Sequence, residues 1–155
     1  MGKNSDRTVT FGATTELTGP TRVQVETRNF EFLIDEPESL GGTDEGPNPV
    51  EYLLGSLGGC LSIVGHSVAD EMDLELAELS INVRGDLDPA RFQGKDVDTR
   101  AGYQSISASL DAELLTADGK TVDSQVKEEW LTRTEDRCPV SDNLGSETPL
   151  EIDVE

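Results

Sequence analysis

Asn48-Pro49-Val50-Glu51-Tyr52-Leu53-Leu54-Gly55-Ser56-Leu57-Gly58-Gly59-Cys60-Leu61 opens the stretch on which the fold turns, and the pattern continues to Asp73. Asn48 offers an N-cap, Pro49 suits the first helical position, and Glu51 supplies the carboxylate of a capping-box variant. Leu53, Leu57, Leu61, Val64, Val68 and Met72 then recur about every four residues, which gives a helix one apolar face. Gly55, Gly58, Gly59 and Gly65 each weaken such a helix by about 1 kcal/mol relative to alanine. Four of them in one helix predict a tertiary demand: a second chain or a crossing helix that approaches the backbone closely.

Upstream, residues 7–17, 22–28 and 29–35 alternate as three short strands, with Gly19-Pro20 as the first turn. Residues 35–47 carry the Pro, Gly and Asp punctuation of an ordered surface loop. Downstream, 76–87 and 104–115 read as strands joined by a polar loop over 88–102. Ile106, Ala108, Leu110, Ala112 and Leu114 share one face of the second of them. Asp118-Gly119 is a turn, 121–137 a helix with Val122, Val126, Trp130 and Thr134 in one stripe, 138–145 a short helical turn, and 150–154 a closing strand. The order is βββ-α-ββ-α-α-β, an α+β domain over residues 1–155 without the alternation of a dinucleotide-binding fold.

Composition narrows the partners. The 155 residues hold 32 acidic against 12 basic side chains, a formal charge of −20. No basic stripe exists to meet phosphate, which excludes nucleic acid and anionic membranes. The absence of an uninterrupted apolar run argues against a membrane span. Met1 to Phe11 lacks an apolar stretch of signal-peptide length, so a cytoplasmic address is expected. The acids are dispersed among periodic apolar positions, and only four of the basic residues are lysines. That is the composition of a folded domain with a surface adapted to high salt, where screening relieves self-repulsion.

Two cysteines, Cys60 and Cys138, are present. They are too few for a tetrahedral zinc site, and no motif calls for a metal or a cofactor. The ordinary reading of each is a small buried hydrophobe. Context argues for more: Cys60 lies amid glycines on the long helix, and Cys138 begins a Cys-Pro turn. His66 is rotated by about 120° from Cys60 and displaced by about 9 Å along a helix, so it reads as structural, paired with Asp70.

Gly46 to Cys60, followed downstream by Cys138-Pro139-Val140-Ser141-Asp142-Asn143-Leu144, resembles the OsmC/Ohr family of osmotically induced and organic-hydroperoxide-resistance proteins. The resemblance implies an intertwined homodimer with the cysteine helix at its centre. It also implies a thiol peroxidase acting on organic hydroperoxides. Cys60 would be peroxidatic and Cys138 resolving, with recycling by a dithiol reductant such as a lipoylated protein. Cys60 stands some three turns into the helix, so the helix dipole does little for its thiolate and a cation is needed. In the family an arginine from the N-terminal half bridges the cysteine and a glutamate that follows Asn-Pro. Here Val50 follows Pro49 and the carboxylate arrives one place later, at Glu51, a rotation of about 100°. Glu51 is therefore either that catalytic carboxylate or only a helix cap. Arg28 is the favoured activating arginine, with Arg22 and Arg137 open. The resolving role also calls for a thiol able to travel, and Cys138, at a helix end, is placed for it. A protein that binds an apolar or thiol ligand on the same scaffold, without peroxidase chemistry, is the competing expectation.

Overall fold

Strands β1 (Thr14–Leu17), β2 (Val23–Thr27) and β3 (Phe30–Ile34) form an antiparallel meander with β2 in the middle. This computed structural model describes residues 7–154, and the chain divides into two compact units, Met1–Tyr52 and Leu53–Glu155. β1 is shorter than the alternation over 7–17 predicts, because its ladder stops at Thr14↔Glu26, where β2 itself is about to end. Val9 and Phe11, beyond that point, are exposed. The β2–β3 connection is the pair Arg28-Asn29, and Arg28 takes a left-handed φ of 55°, uncommon for a non-glycine residue.

The loop over 35–47 is ordered by one buried carboxylate. Asp35 accepts hydrogen bonds from the Thr21 hydroxyl (2.7 Å), the Glu36 amide (2.8 Å), the Thr43 amide (3.1 Å) and hydroxyl, and the Glu45 amide (3.2 Å). The Thr43 and Thr21 hydroxyls, with the Glu45 and Glu36 amides, hold its carboxyl well below the usual carboxylate range. A depressed folded pKa contributes stability that is present above the ordinary pKa and lost as pH falls toward the folded one. Asp35→Ala is expected to lower the melting temperature by roughly 5–10 °C at pH 7, since it strands buried donors. The gap between variant and parent should narrow at pH 3. A gap of the same size at both pH values would show that the charge of Asp35 contributes nothing.

Helix α1 (Pro49–Glu71) starts as the sequence predicts. Asn48 Oδ1 accepts the Glu51 amide and Glu51 Oε2 accepts the Asn48 amide, both at 2.9 Å, which completes the capping box. One turn in, the Tyr52 hydroxyl donates to the Leu33 carbonyl (2.8 Å), and its ring meets that of Phe32 at 5.0 Å.

In the second unit, β4 (Glu75–Asp86) and β5 (Ser105–Leu115) form a long antiparallel hairpin in the register Ile81↔Leu110 and Val83↔Ala108. The apolar face of α1 covers it in two clusters. Val68 and Ala69 meet Leu114 and Trp130, with Val64, Met72, Leu79 and Leu110 around them. Leu57 and Leu61 meet Cys138, with Cys60, Ile81, Val83 and Ile106 alongside. Among the described residues α1 is also the one helix long and apolar enough, by length and composition, to cross a membrane. Its buried face belongs to these clusters, as in the core helix of a globular domain, so the packing and not the residue count identifies it.

Helix α2 (Ser124–Asp136) starts three residues later than its apolar stripe predicts. Thr121 bridges back to Leu115, and the Asp123 carboxylate caps the Val126 amide at 3.0 Å. The Trp130 indole donates to the Gly65 carbonyl at 2.7 Å, and a Cβ on Gly65 would lie 2.8 Å from the Trp130 ring. A crossing helix thus accounts for Gly65, and the Val83 side chain stands 3.4 Å from the corresponding point on Gly58. Nothing within 4 Å meets Gly55 or Gly59.

Helix α3 (Pro139–Gly145) follows at once, and the order ends there: βββ-α-ββ-α-α. The expected closing strand over 150–154 does not form. Leu150, Ile152 and Val154 alternate as a strand would, yet they are 81%, 86% and 97% exposed. Alternation makes a strand only where a sheet edge accepts its backbone hydrogen bonds, and no described strand pairs with this segment.

Candidate active site

Cys60 and Cys138 meet. Their Sγ atoms are 2.9 Å apart, with the Cys138 thiol donating to Cys60, and both are free thiols. Cys60 comes from the middle of α1, where the Leu57 and Leu61 face turns toward β4 and β5. Cys138 comes from the junction of α2 and α3. Pro139 is the first residue of α3 and holds its predecessor extended (φ −82°, ψ 108°), so Cys138 serves as the N-cap and its sulfur accepts the Ser141 amide at 3.3 Å. Trp130, bonded to Gly65 one turn and more before this junction, seats α2 on α1 and so delivers the junction to Cys60.

The surroundings of the pair are apolar, and the two sulfurs differ in access. Cys138 is 1% exposed, whereas Cys60 is half-buried. Burial pushes the Cys60 thiol above its ordinary pKa, its close contact with the Cys138 side chain adds to that, and the Val140 amide opposes both. A disulfide places its sulfurs about 2.05 Å apart, so the pair has only about 1 Å to close. The journey expected of Cys138 is unnecessary. Its cap bond, Pro139 and the surrounding Leu57, Leu61 and Val140 hold it next to its partner.

The other predicted residues have other neighbours. Arg28 lies at the tip of the β2–β3 hairpin with its guanidinium 5.0 Å above the Phe30 ring, a cation–π contact. Glu51 is engaged as the cap of α1. Arg22 pairs with Glu45 on the first unit, which raises its pKa. Arg137 pairs with Glu71 at 2.7 Å, and Arg133 reaches the same carboxylate oxygen at 3.2 Å. His66 pairs with Asp70 at 3.7 Å on the exposed face of α1, as expected of it. Among the described residues no three His, Cys, Asp or Glu side chains converge as a metal site requires. The Glu71 pairings were not legible in the sequence: Arg137 beside Cys138 was the visible sign, but its partner lies 66 positions away.

Two free thiols in near contact within an apolar cluster are close enough for a disulfide to be formed between them, and proteins with solved structures share the fold. An OsmC-like protein from Mycoplasma pneumoniae superposes with a TM-score of 0.73 at 18% identity, over 88% of each chain. An OsmC-like protein of unknown function from Vibrio cholerae gives 0.73 at 11% identity, over 88% of this chain and 94% of that one. An organic hydroperoxide resistance protein from Elizabethkingia anophelis gives 0.64 at 19% identity, over 89% of each. No curated protein matches the chain in sequence. The family model for OsmC-like protein matches residues 42–153, a span that takes in both cysteines, the whole of α1 and the β4–β5 hairpin. On that match, the chain belongs to the OsmC-like protein family.

Proposed function

We propose that the protein is a dithiol peroxidase that reduces organic hydroperoxides. The observation that carries this reading is the 2.9 Å contact between Cys60 and Cys138. The Cys60 thiolate attacks the distal oxygen of the O–O bond, an alcohol leaves, and the sulfur becomes a sulfenic acid. The Cys138 thiol displaces water from that sulfenic acid to form a disulfide. A dithiol reductant, for which a lipoylated protein is the proposed source, returns both thiols and is itself oxidised. The apolar side chains of Leu57, Ile81, Val83 and Ile106 clustered with the two cysteines suit an organic hydroperoxide better than hydrogen peroxide.

Arg28 and Glu51 enter the proposal as activating cation and orienting carboxylate, the latter through Oε1, since Oε2 takes the cap bond. A homodimer belongs to the same reading. Gly55 and Gly59 leave open backbone on α1, and Ile63 beside them is 73% exposed, a face fitted to a second copy of the helix. Work against a dithiol reductant fits a cytoplasmic, reducing compartment.

One observation favours the competing reading of a ligand-binding protein: the Cys60 thiol is pushed up, toward the unreactive form. Mass spectrometry separates the two. One equivalent of tert-butyl hydroperoxide should remove two hydrogens from the protein and leave one intramolecular disulfide between Cys60 and Cys138. Thiols that stay intact through that exposure would retire the peroxidase reading.

A further inference from the structure

Glu71 is the last residue of α1, and its Oε2 accepts from Arg137 Nη1 at 2.7 Å and from Arg133 Nη2 at 3.2 Å. The two arginines sit on the last turn of α2 and at its C-cap. Arg137 is covalently next to Cys138, so no slack separates the ion pair from the sulfur. Further back, α2 is fastened by the Trp130–Gly65 bond. Between that anchor and Cys138, the Glu71 bridge is a polar contact that ties the end of α2 to α1. Isolated exposed pairs contribute little to stability. Here one carboxylate oxygen receives two guanidinium groups four residues apart, so the pairing engages both the last turn of α2 and its C-cap. In a chain with 32 acidic side chains and 12 basic ones, two arginines on a single carboxylate is a concentrated use of positive charge.

We propose that Glu71 is a positioning residue for the Cys60–Cys138 pair: by gathering Arg133 and Arg137 it fixes the turn that presents Cys138 to Cys60. The proposal rests on the dithiol reading above and adds to it a determinant of the redox couple. How closely one thiol is held to the other sets its effective concentration, and with it the reduction potential of the disulfide.

The test is the thiol–disulfide equilibrium of the full chain in dithiothreitol buffers. In that exchange Cys60 and Cys138 lose two electrons and two protons to form the S–S bond, and oxidised dithiothreitol takes them up to become the dithiol. Glu71→Gln is expected to lower the equilibrium constant for disulfide formation about tenfold, which raises the potential by about 30 mV. Glu71→Asp should recover most of that change. Glu129→Gln removes the other carboxylate near Arg133, 3.9 Å away, and leaves Arg137 untouched; its couple should match the parent. Parallel melting curves check that all three variants are folded. A Glu71→Gln potential equal to the parent's overturns the proposal, and so does a Glu129→Gln shift of equal size, which would mark a bulk charge effect. A parent that forms no intramolecular disulfide at any buffer ratio removes the positioning role together with the peroxidase. A parent that forms the disulfide with the expected shifts, yet ignores hydroperoxide, removes the peroxidase alone.

Discussion

Cys60→Ser is expected to abolish hydroperoxide consumption from the first turnover, while Cys138→Ser keeps a single stoichiometric turnover and then stops. Multiple-turnover rates should fall on the order of a thousandfold or more in both variants, because each sulfur is needed to complete the cycle. The asymmetry comes from access. Cys60 is the half-buried partner, and Cys138 is sealed beneath it. Under the proposed function peroxide would meet Cys60 first, and the neighbouring thiol would trap the sulfenic acid before a second peroxide could raise it to sulfinic acid. In Cys138→Ser the sulfenic acid has no thiol to condense with. It should be captured by dimedone, or driven to sulfinic acid by excess peroxide. If Cys138→Ser loses the first turnover and Cys60→Ser retains it, the roles are exchanged; if neither substitution changes consumption, the ligand-binding reading replaces the peroxidase.

A large effect on stability is expected at Gly65. Alanine ordinarily improves a helix over glycine by about 1 kcal/mol. Here its methyl group would stand 2.8 Å from a Trp130 ring that is 3% exposed. The ring cannot slide aside cheaply, because its nitrogen is bonded to the carbonyl of that same glycine at 2.7 Å. The overpacking and the strained or broken indole bond outweigh the helix gain, so Gly65→Ala should destabilise by about 2 kcal/mol, and Gly65→Val by more. Urea unfolding reads both. A Gly65→Ala protein more stable than the parent would show that α1 and α2 do not pack as described.

Much of this was legible in the sequence, and the boundary has physical causes. Local signals read well: Asn48, Pro49 and Glu51 announced the start of α1, and its leucine spacing announced the buried face. The period-two pattern from Ile106 to Leu114 announced β5. Signals that depend on a partner did not read. The pattern at Leu150, Ile152 and Val154 says which residues could share a face, but a strand must also be bonded to a neighbour, and no described strand pairs with this segment. Cys60 and Cys138 drew attention by context and by family resemblance, yet no spacing rule says that their sulfurs touch. Their contact depends on Trp130 finding Gly65, a pairing of a bulky ring with a missing side chain across 65 positions. Glycine in a helix signals that something comes close; it does not say what.

The sealed position of Cys138 has a consequence for how the reduced protein is regenerated. Once the disulfide has formed, a dithiol arriving from solution faces two sulfurs of equal chemical type and very unequal reach. At 1% exposure Cys138 offers no line of attack, so on the proposed mechanism electrons would enter through Cys60. The mixed disulfide with the reductant would then be carried on Cys60, with Cys138 as the leaving group. Its departing thiolate is received by the Ser141 amide that already bonds this sulfur in the dithiol form. Burial thus gives a chemically symmetric bond a front and a back, and under the proposed function reductant and peroxide would approach the same sulfur.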